Sequence, residues 1–322
     1  MAGSTIHAVD ASSFAASDQT PGVMGNMILD TLDMQVTGTP VGVTRGASAS
    51  STGWIEGFGG RRRYGGNSAT MAFTSETYGV MAGRSLDAMS GLFVGAARNT
   101  TASDRTFDNR SDSVFAGYHS RYDLGGIEMD ASLTFGAAQN NTSRRIANNT
   151  VLTGLETARG QYMSYFLMPS ATFRGDWDFG DTGFETSVRV RYAAMHDQGY
   201  TETGSAAAMT VDGRTSHLGE VRLQVDGALL DQVTACGVFM ANLRLGADVQ
   251  YLDNEHVSGS VAGQSIAFAT NGDRVSRRAF AGLNIMHSMA DGTRELRGGF
   301  EVGRTQSGIS DVSASLRWQM RF

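Results

Sequence analysis

The final eleven residues alternate without a break. Val312, Ala314, Leu316, Trp318, Met320 and Phe322 fall on one side, and Ser313, Ser315, Arg317, Gln319 and Arg321 on the other. A period of two is the signature of a strand with one apolar and one polar face. Its apolar face carries aromatics near the end and stops on Phe322. Chain ends of soluble domains usually fray into water, so an uncapped apolar strand in that place is informative.

The same rhythm predicts about twelve strands from Gly53 onward, divided by Gly, Asn, Asp and Ser-rich connections. In Ile127–Phe135, Ile127, Met129, Ala131, Leu133 and Phe135 oppose Glu128, Asp130, Ser132 and Thr134. In Phe184–Tyr192, Phe184, Val188, Val190 and Tyr192 oppose Glu185, Ser187, Arg189 and Arg191. Val221–Val225 sets its apolar residues against Glu220, Arg222, Gln224 and Asp226. Leu243–Tyr251 opposes five apolar residues to Asn242, Arg244, Asp248 and Gln250, and Leu296–Val302 opposes Leu296, Phe300 and Val302 to Glu295, Arg297 and Glu301.

Residues 1–52 read differently. Thr20-Pro21 is a helix start, with Thr20 as N-cap and Pro21 at the first helical position. Met24, Met27, Ile28 and Leu32 then recur at helical spacing, with Val23 and, at the margin, Met34. Gly22 and Gly25 weaken this helix, Thr37–Pro40 ends it, and Gly46–Gly53 reads as a loop. A lone amphipathic helix of about four turns cannot bury its own stripe and needs a container.

A soluble sandwich also alternates, so three further features decide the class. The runs reach about nine to twelve residues, which suits a tilted membrane strand better than the usual five to six. Aromatics stand near run ends, at Trp54, Phe58, Tyr118, Tyr122, Phe135, Tyr192, Tyr251, Trp318 and Phe322, as interface girdles do. Connections alternate in length: Asp123–Gly126, Gly175–Gly183 and Ala290–Thr293 are tight, while Thr100–Ser111, Gln139–Arg159 and His196–Ser216 read as long polar loops. The expected fold is therefore all-β: an antiparallel transmembrane barrel of about twelve strands spanning 53–322, with a linker and helix in 1–52.

Composition agrees. The chain of 322 residues has 41 Gly and only 3 Pro, which fits a β protein with close strand contacts and tight turns. No apolar window reaches the length of a membrane helix, and the mean hydropathy of -0.20 hides any lipid face that occupies every second residue. Every basic residue is Arg. A net charge of -6, with no basic stripe, argues against nucleic acid as a partner. The single Cys236 permits no internal disulfide and reads as a packing thiol. Met1–His7 lacks the basic and apolar regions of a signal peptide, so the chain is either soluble or part of a longer secreted precursor.

Trp54-Ile-Glu-Gly-Phe-Gly-Gly60, Tyr78-Gly-Val-Met-Ala-Gly83, Tyr200-Thr-Glu-Thr-Gly204 with Leu218-Gly219, and Arg317-Trp-Gln-Met-Arg-Phe322 occur in the order of opening, second, central and closing strands of a known family. Over residues 12–322 the chain resembles the C-terminal translocator domain of the type V autotransporters. That resemblance implies a 12-stranded barrel in the outer membrane of a Gram-negative bacterium, with the N-terminal helix in its pore. It implies outer-membrane lipid, periplasmic chaperones and the barrel-assembly machinery as partners, the last of these recognising the final strand. It also implies a monomeric barrel, covalently joined to a passenger that this chain does not contain. A stand-alone barrel acting as adhesin or porin is the alternative. No enzyme activity, cofactor or metal is expected.

Within that frame, Trp318, Met320 and Phe322 are the candidate assembly signal, against the plainer reading of girdle aromatics. Glu128, Asp130, Glu185, Arg189, Arg191, Glu220, Arg222, Arg244, Asp248, Arg297 and Glu301 are the candidate lumen lining, either contacting the helix or pairing with one another. Met24, Met27, Ile28 and Leu32 mark the candidate pore helix. Some autotransporters cleave the passenger at an Asn-Asn pair in this helix; here Asn26 stands alone, and Asn140-Asn141 and Asn148-Asn149 read as turn residues. His119, His196, His217, His256 and His287 are scattered, with no Gly-x-Ser-x-Gly elbow or His-Glu-x-x-His motif, and read as loop or rim residues.

Overall fold

The computed structural model describes residues 53–66, 72–87, 89–103, 107–148, 151–179, 182–253, 256–269 and 274–322. The expected helix and its linker lie outside these residues. The described chain is built of strands: β1 (Gly53–Tyr64), β2 (Phe73–Ser85), β3 (Ser90–Ser103), β4 (Phe107–Asp123), β5 (Glu128–Ala147), β6 (Leu155–Phe179), β7 (Thr182–Asp197), β8 (Tyr200–Thr201), β9 (Met209–Val211), β10 (Arg214–Thr234), β11 (Gly237–Asp253), β12 (His256–Val261), β13 (Gln264–Ala269), β14 (Val275–Met289), β15 (Arg294–Thr305) and β16 (Ser310–Arg321). Twelve of them, β1–β7, β10, β11 and β14–β16, form a closed antiparallel barrel. Closure pairs β1 with β16, from Trp54 opposite Arg321 to Tyr64 opposite Asp311. The remaining four, in the order β13-β12-β9-β8, make a separate small sheet.

Alternation sorts the side chains as the pattern requires. Val80, Leu92, Val94, Val114, Leu133, Phe135, Leu167, Val190, Leu223, Leu245, Phe300 and Leu316 are exposed on the outer face. Side chains of the opposite parity, among them Asp130, Thr134, Arg189, Arg191, Glu220 and Asp248, are buried on the inner face. An apolar outside around a polar inside inverts a soluble core and is what lipid demands of a barrel. Closure leaves no unpaired edge in the wall, so its backbone groups are satisfied between strands.

Two expectations about length need correction. Several strands exceed the predicted nine to twelve residues: β6 has 25, β10 has 21 and β5 has 20. Their ends run past the apolar band, where both faces are polar and the alternation fades. For the same reason Thr100–Ser111 and Gln139–Arg159 are mostly strand. Asn99, Thr101, Ser103, Asn109 and Ser111 are buried on the inner face there, and Asn99 Nδ2 donates to Ser75 Oγ at 2.8 Å and Thr77 Oγ1 at 2.7 Å. Asn140 and Asn141 also belong to β5, with Asn140 Nδ2 donating to Ser164 Oγ at 2.7 Å, so they are not turn residues.

Connections at one rim are tight. The β4–β5 turn is closed by Leu124 N donating to Ile127 O at 2.9 Å, and Asp123 Oδ1 accepts from Gly125 N at 2.9 Å. Gly125 and Gly126 have φ of +80° and +100°, a region that side chains disfavour, so Gly is required there. The opposite rim carries the longer connections, including those that build the small sheet.

The high Gly content has a structural use in the wall. Aromatic rings on the inner face lie over glycines of neighbouring strands: Trp54 over Gly83, Phe58 over Gly79, Phe93 over Gly117, Phe115 over Gly95, Phe166 over Gly136 and Phe280 over Gly246. A Cβ at Gly79 would stand 2.6 Å from the Phe58 ring and 2.6 Å from Ala96 O. Trp54 and Phe58 are therefore inward and buried, not girdle residues as their position in the sequence suggested. Nothing in the sequence showed this, because the outward positions beside them are Ile55, Gly57 and Gly59 and the faces are hard to tell apart.

Candidate functional site

The inner wall has two chemically distinct parts. On β1–β4 and the mouth-side halves of β6, β7 and β10 it carries an apolar patch, set among polar residues such as Thr77, Asn99 and Ser113: Trp54, Phe58, Met81, Phe93, Phe115, Phe166, Met168, Ala193, Met195 and Leu218 form one buried cluster. The rest of the wall is charged. Arg191 Nη2 donates to Glu220 Oε2 at 2.9 Å, with Arg189 at 3.7 Å from the same carboxylate. Arg244 Nε donates to Asp226 at 2.8 Å. Asp130 accepts from Arg174 and, at 3.2 Å, from Arg121.

The densest network joins the two ends of the barrel sheet. Arg278 on β14 donates to Asp248 on β11 at 2.8 Å, to Glu301 on β15 at 2.6 Å and to Asp311 on β16 at 2.6 Å. Arg62 on β1 reaches Asp311 at 3.0 Å and Glu301 at 3.3 Å. Arg222 on β10 also donates to Glu301, and its guanidinium lies 3.8 Å from the centre of the Phe280 ring. Buried charges survive only when paired, and here the pairing ties the first strand to the last from inside.

Of the predicted inner residues, Asp130, Arg189, Arg191, Glu220 and Asp248 are buried and ion-paired, while Glu185, Arg222, Arg244, Arg297 and Glu301 are partly covered on the same face. Glu128 stands at the tight-turn rim, 3.8 Å from Arg121. Arg174, Glu185, Arg189, Arg222, Asp226, Arg244 and Arg297 border a cavity of about 140 Å³. Arg62, Arg278 and Asp311 were missed. Asp311 continues the polar face of the closing strand, so the alternation contained it; Arg62 is hidden in a run of three arginines.

Trp318, Met320 and Phe322 lie on the outer face, with Trp318 and Phe322 exposed. Phe322 also closes the seam: its N donates to Gly53 O at 3.0 Å, and its O accepts from Gly53 N at 3.2 Å. Its ring lies against Gly53, where an added Cβ would meet it at 2.8 Å.

At the opposite mouth the β7–β10 connection packs back onto the inner face of the wall. The Glu202 carboxylate takes two bonds from Arg144, at 3.3 and 2.6 Å, and one from Met209 N at 3.0 Å. Tyr200 stacks on Tyr162 with ring centres 4.7 Å apart, over the space that Gly160 leaves open. Burial of Tyr200, with Glu202 beside it, pushes its phenol up to about 12. Glu156 accepts from Ser205 Oγ at 2.7 Å and Ala206 N at 3.0 Å. Met209, Val211 and Val257 give the small sheet its own core. Tyr200–Gly204 thus belongs to this cap, in the connection between the central barrel strands β7 and β10.

The remaining candidates are peripheral. His217, partly covered, and His196, exposed, lie on the outer face, bonded to Tyr192 at 2.6 Å and Thr215 at 3.0 Å. His119 is inward, beside Phe93, with neither ring nitrogen hydrogen-bonded. Cys236 is exposed in the β10–β11 turn, which corrects its reading as a packing thiol. It sits on the tight-turn rim, where its carbonyl accepts from Ala290 N at 3.1 Å and Thr293 O accepts from Arg321 N at 2.8 Å. Asn26 and the helix residues Met24, Met27, Ile28 and Leu32 lie outside the described residues.

Comparison with known proteins gives a consistent result. A family model described as the autotransporter β-domain matches residues 53–308. No curated protein matches the chain. Among solved structures, the translocator domain of autotransporter NalP from Neisseria meningitidis superposes with a TM-score of 0.69 at 13% identity, covering 98% of this chain and 100% of that one. The β domain of the Bordetella autotransporter BrkA gives 0.58 at 15% identity, with 85% and 100% covered. The transport unit of AIDA-I from Escherichia coli gives 0.53 at 11% identity, with 98% and 100% covered.

Proposed function

Because this chain belongs to the autotransporter β-domain family, we propose that it is the outer-membrane translocator of a longer polypeptide, carrying a passenger joined to its N-terminal side to the cell surface. In this reading residues 1–52 are the linker and pore helix, and residues 53–322 are the barrel. The barrel works as a monomer in lipid, and periplasmic chaperones and the barrel-assembly machinery deliver it there. Trp318, Met320 and Phe322 form the assembly signal on the closing strand.

The observation that carries this reading is the divided interior. A segment with a Met24, Met27, Ile28 and Leu32 stripe has an apolar wall to meet, formed by Trp54, Phe58, Phe93, Phe115 and Met168. Its only charges between residues 20 and 36 are Asp30 and Asp33, which suit the arginines across the lumen. A container of about twelve strands is also wide enough for one helix.

The test is planar-bilayer conductance of the refolded chain with and without residues 1–40, alongside surface display of a reporter fused upstream. Higher conductance on deletion, with a protease-accessible reporter on whole cells, is the expected result. Unchanged conductance would place the segment elsewhere, and a reporter retained in the periplasm would remove the translocator reading.

A further inference from the structure

Three arginines on the outer face near the mouth-side rim are unaccounted for by export. Arg63 on β1, Arg277 on β14 and Arg304 on β15 all point away from the lumen and are exposed. Among the described residues none of the three has an ion-pair partner. The neighbouring Arg61 differs, since it pairs with Glu76 at 3.3 Å.

The sheet register places the three together. Arg304 lies opposite Ala279, the next outward position after Arg277 on the same strand. Such diagonal neighbours stand about 7–8 Å apart. Arg304 also lies opposite Ser310, and Arg63 lies opposite Val312 on that same strand. Directly below on the outer face are Val302, Val312 and Phe300, all exposed. The patch therefore sits where an apolar band gives way to the headgroup level of the outer leaflet. The nearest outward acid on β11 is Asp253, which lies beyond Tyr251, whereas Arg277 stands opposite Val249.

We propose that Arg63, Arg277 and Arg304 bind the phosphate groups of a phosphorylated glycolipid in the outer leaflet. This rests on the outer-membrane reading of the barrel. Guanidinium groups match phosphate oxygens bidentately and are weakly hydrated, so they suit a phosphate at a lipid interface. Three cations that lack an ion-pair partner among the described residues, beside the apolar surface that would take the acyl chains, fit a lipid better than a soluble anion.

The test uses the full chain refolded in detergent, with purified lipopolysaccharide, the same lipid after enzymatic dephosphorylation, and inorganic phosphate as probes. Retention of lipid is read by native mass spectrometry, and barrel folding by heat-modifiability on gels. The wild type should hold the phosphorylated lipid, and the R63Q/R277Q/R304Q variant should bind it at least tenfold more weakly. Dephosphorylated lipid should bind equally weakly to both, and inorganic phosphate should not compete. R84Q/R294Q, which alters outward arginines at the opposite rim, should bind as wild type. If the triple variant fails to fold, R304Q alone should still weaken binding. Equal retention by the folded triple variant, or equal retention of the dephosphorylated lipid by the wild type, would overturn the proposal. Competition by inorganic phosphate would reassign the patch to a soluble anion and overturn the lipid claim. Failure of the wild type to insert into vesicles at all would instead remove the outer-membrane reading.

Discussion

Glu202→Ala should release the cap without unfolding the barrel. The carboxylate is almost fully buried, and it holds the Arg144 guanidinium through two bonds and the Met209 amide through a third. Removing it strands a buried cation, which typically costs about 3–5 kcal/mol. That loss falls on the cap alone, because Arg144 stands on the mouth-side end of β5 and the barrel ladders below do not depend on it. The open population of the cap should rise roughly a hundred- to several-thousand-fold. Hydrogen exchange of residues 200–211 reads this directly, since local opening exposes those amides while wall strands stay protected. A second variant, R144M/E202L, removes both charges and should recover most of the protection. Unchanged exchange at 200–211 in the single variant would refute the argument, as would simultaneous loss of protection in β5 and β6.

Other perturbations follow from the wall and its seam. Gly79→Ala should lower the yield of heat-resistant barrel, because its Cβ meets both the Phe58 ring and the Ala96 carbonyl at 2.6 Å, and overpacking of this kind costs about 1–3 kcal/mol. Gly57→Ala, with nothing within 4 Å, should fold as wild type; equal behaviour of the two variants on gels would count against the ring-over-glycine account. Phe322→Ala keeps the two backbone bonds to Gly53, so it should refold in detergent yet assemble poorly in cells, whereas deletion of Phe322 should impair both. Normal assembly of Phe322→Ala in cells would leave the residue with a seam role only. Glu301→Ala removes the carboxylate common to Arg62, Arg222 and Arg278 but leaves Asp311 and Asp248 beside them, and should destabilise the barrel by about 1.5–3 kcal/mol, seen as a lower temperature for loss of the heat-resistant form. A midpoint equal to wild type would show that the network adds little to closure.

The barrel was legible because its physics repeats every two residues. An apolar outer face and a charged inner face leave the same trace in β7, β10, β11 and β16, and the closing strand shows it without a gap. What alternation could not convey lies beyond the apolar band. There Asn99, Thr101, Asn109 and Asn140 make strand out of residues that look like loop, with Asn99 and Asn140 bonded to side chains on the neighbouring strands. The cap was invisible for a related reason: Arg144 and Glu202 are 58 residues apart, and only the fold brings them together. The divided interior was hidden too, because an inward Trp54 and an outward Trp318 look alike in sequence and differ only in what surrounds them.

The exposed Cys236 turns the molecule into its own compass. It is the sole thiol of the chain and stands in the turn of the rim that also holds the closing residue, opposite the capped mouth. A membrane-impermeant maleimide added to whole cells should therefore leave it unlabelled, and the same reagent should modify it once the outer membrane is opened. Within residues 1–322 no cysteine need be introduced to read which way the barrel faces in a living envelope.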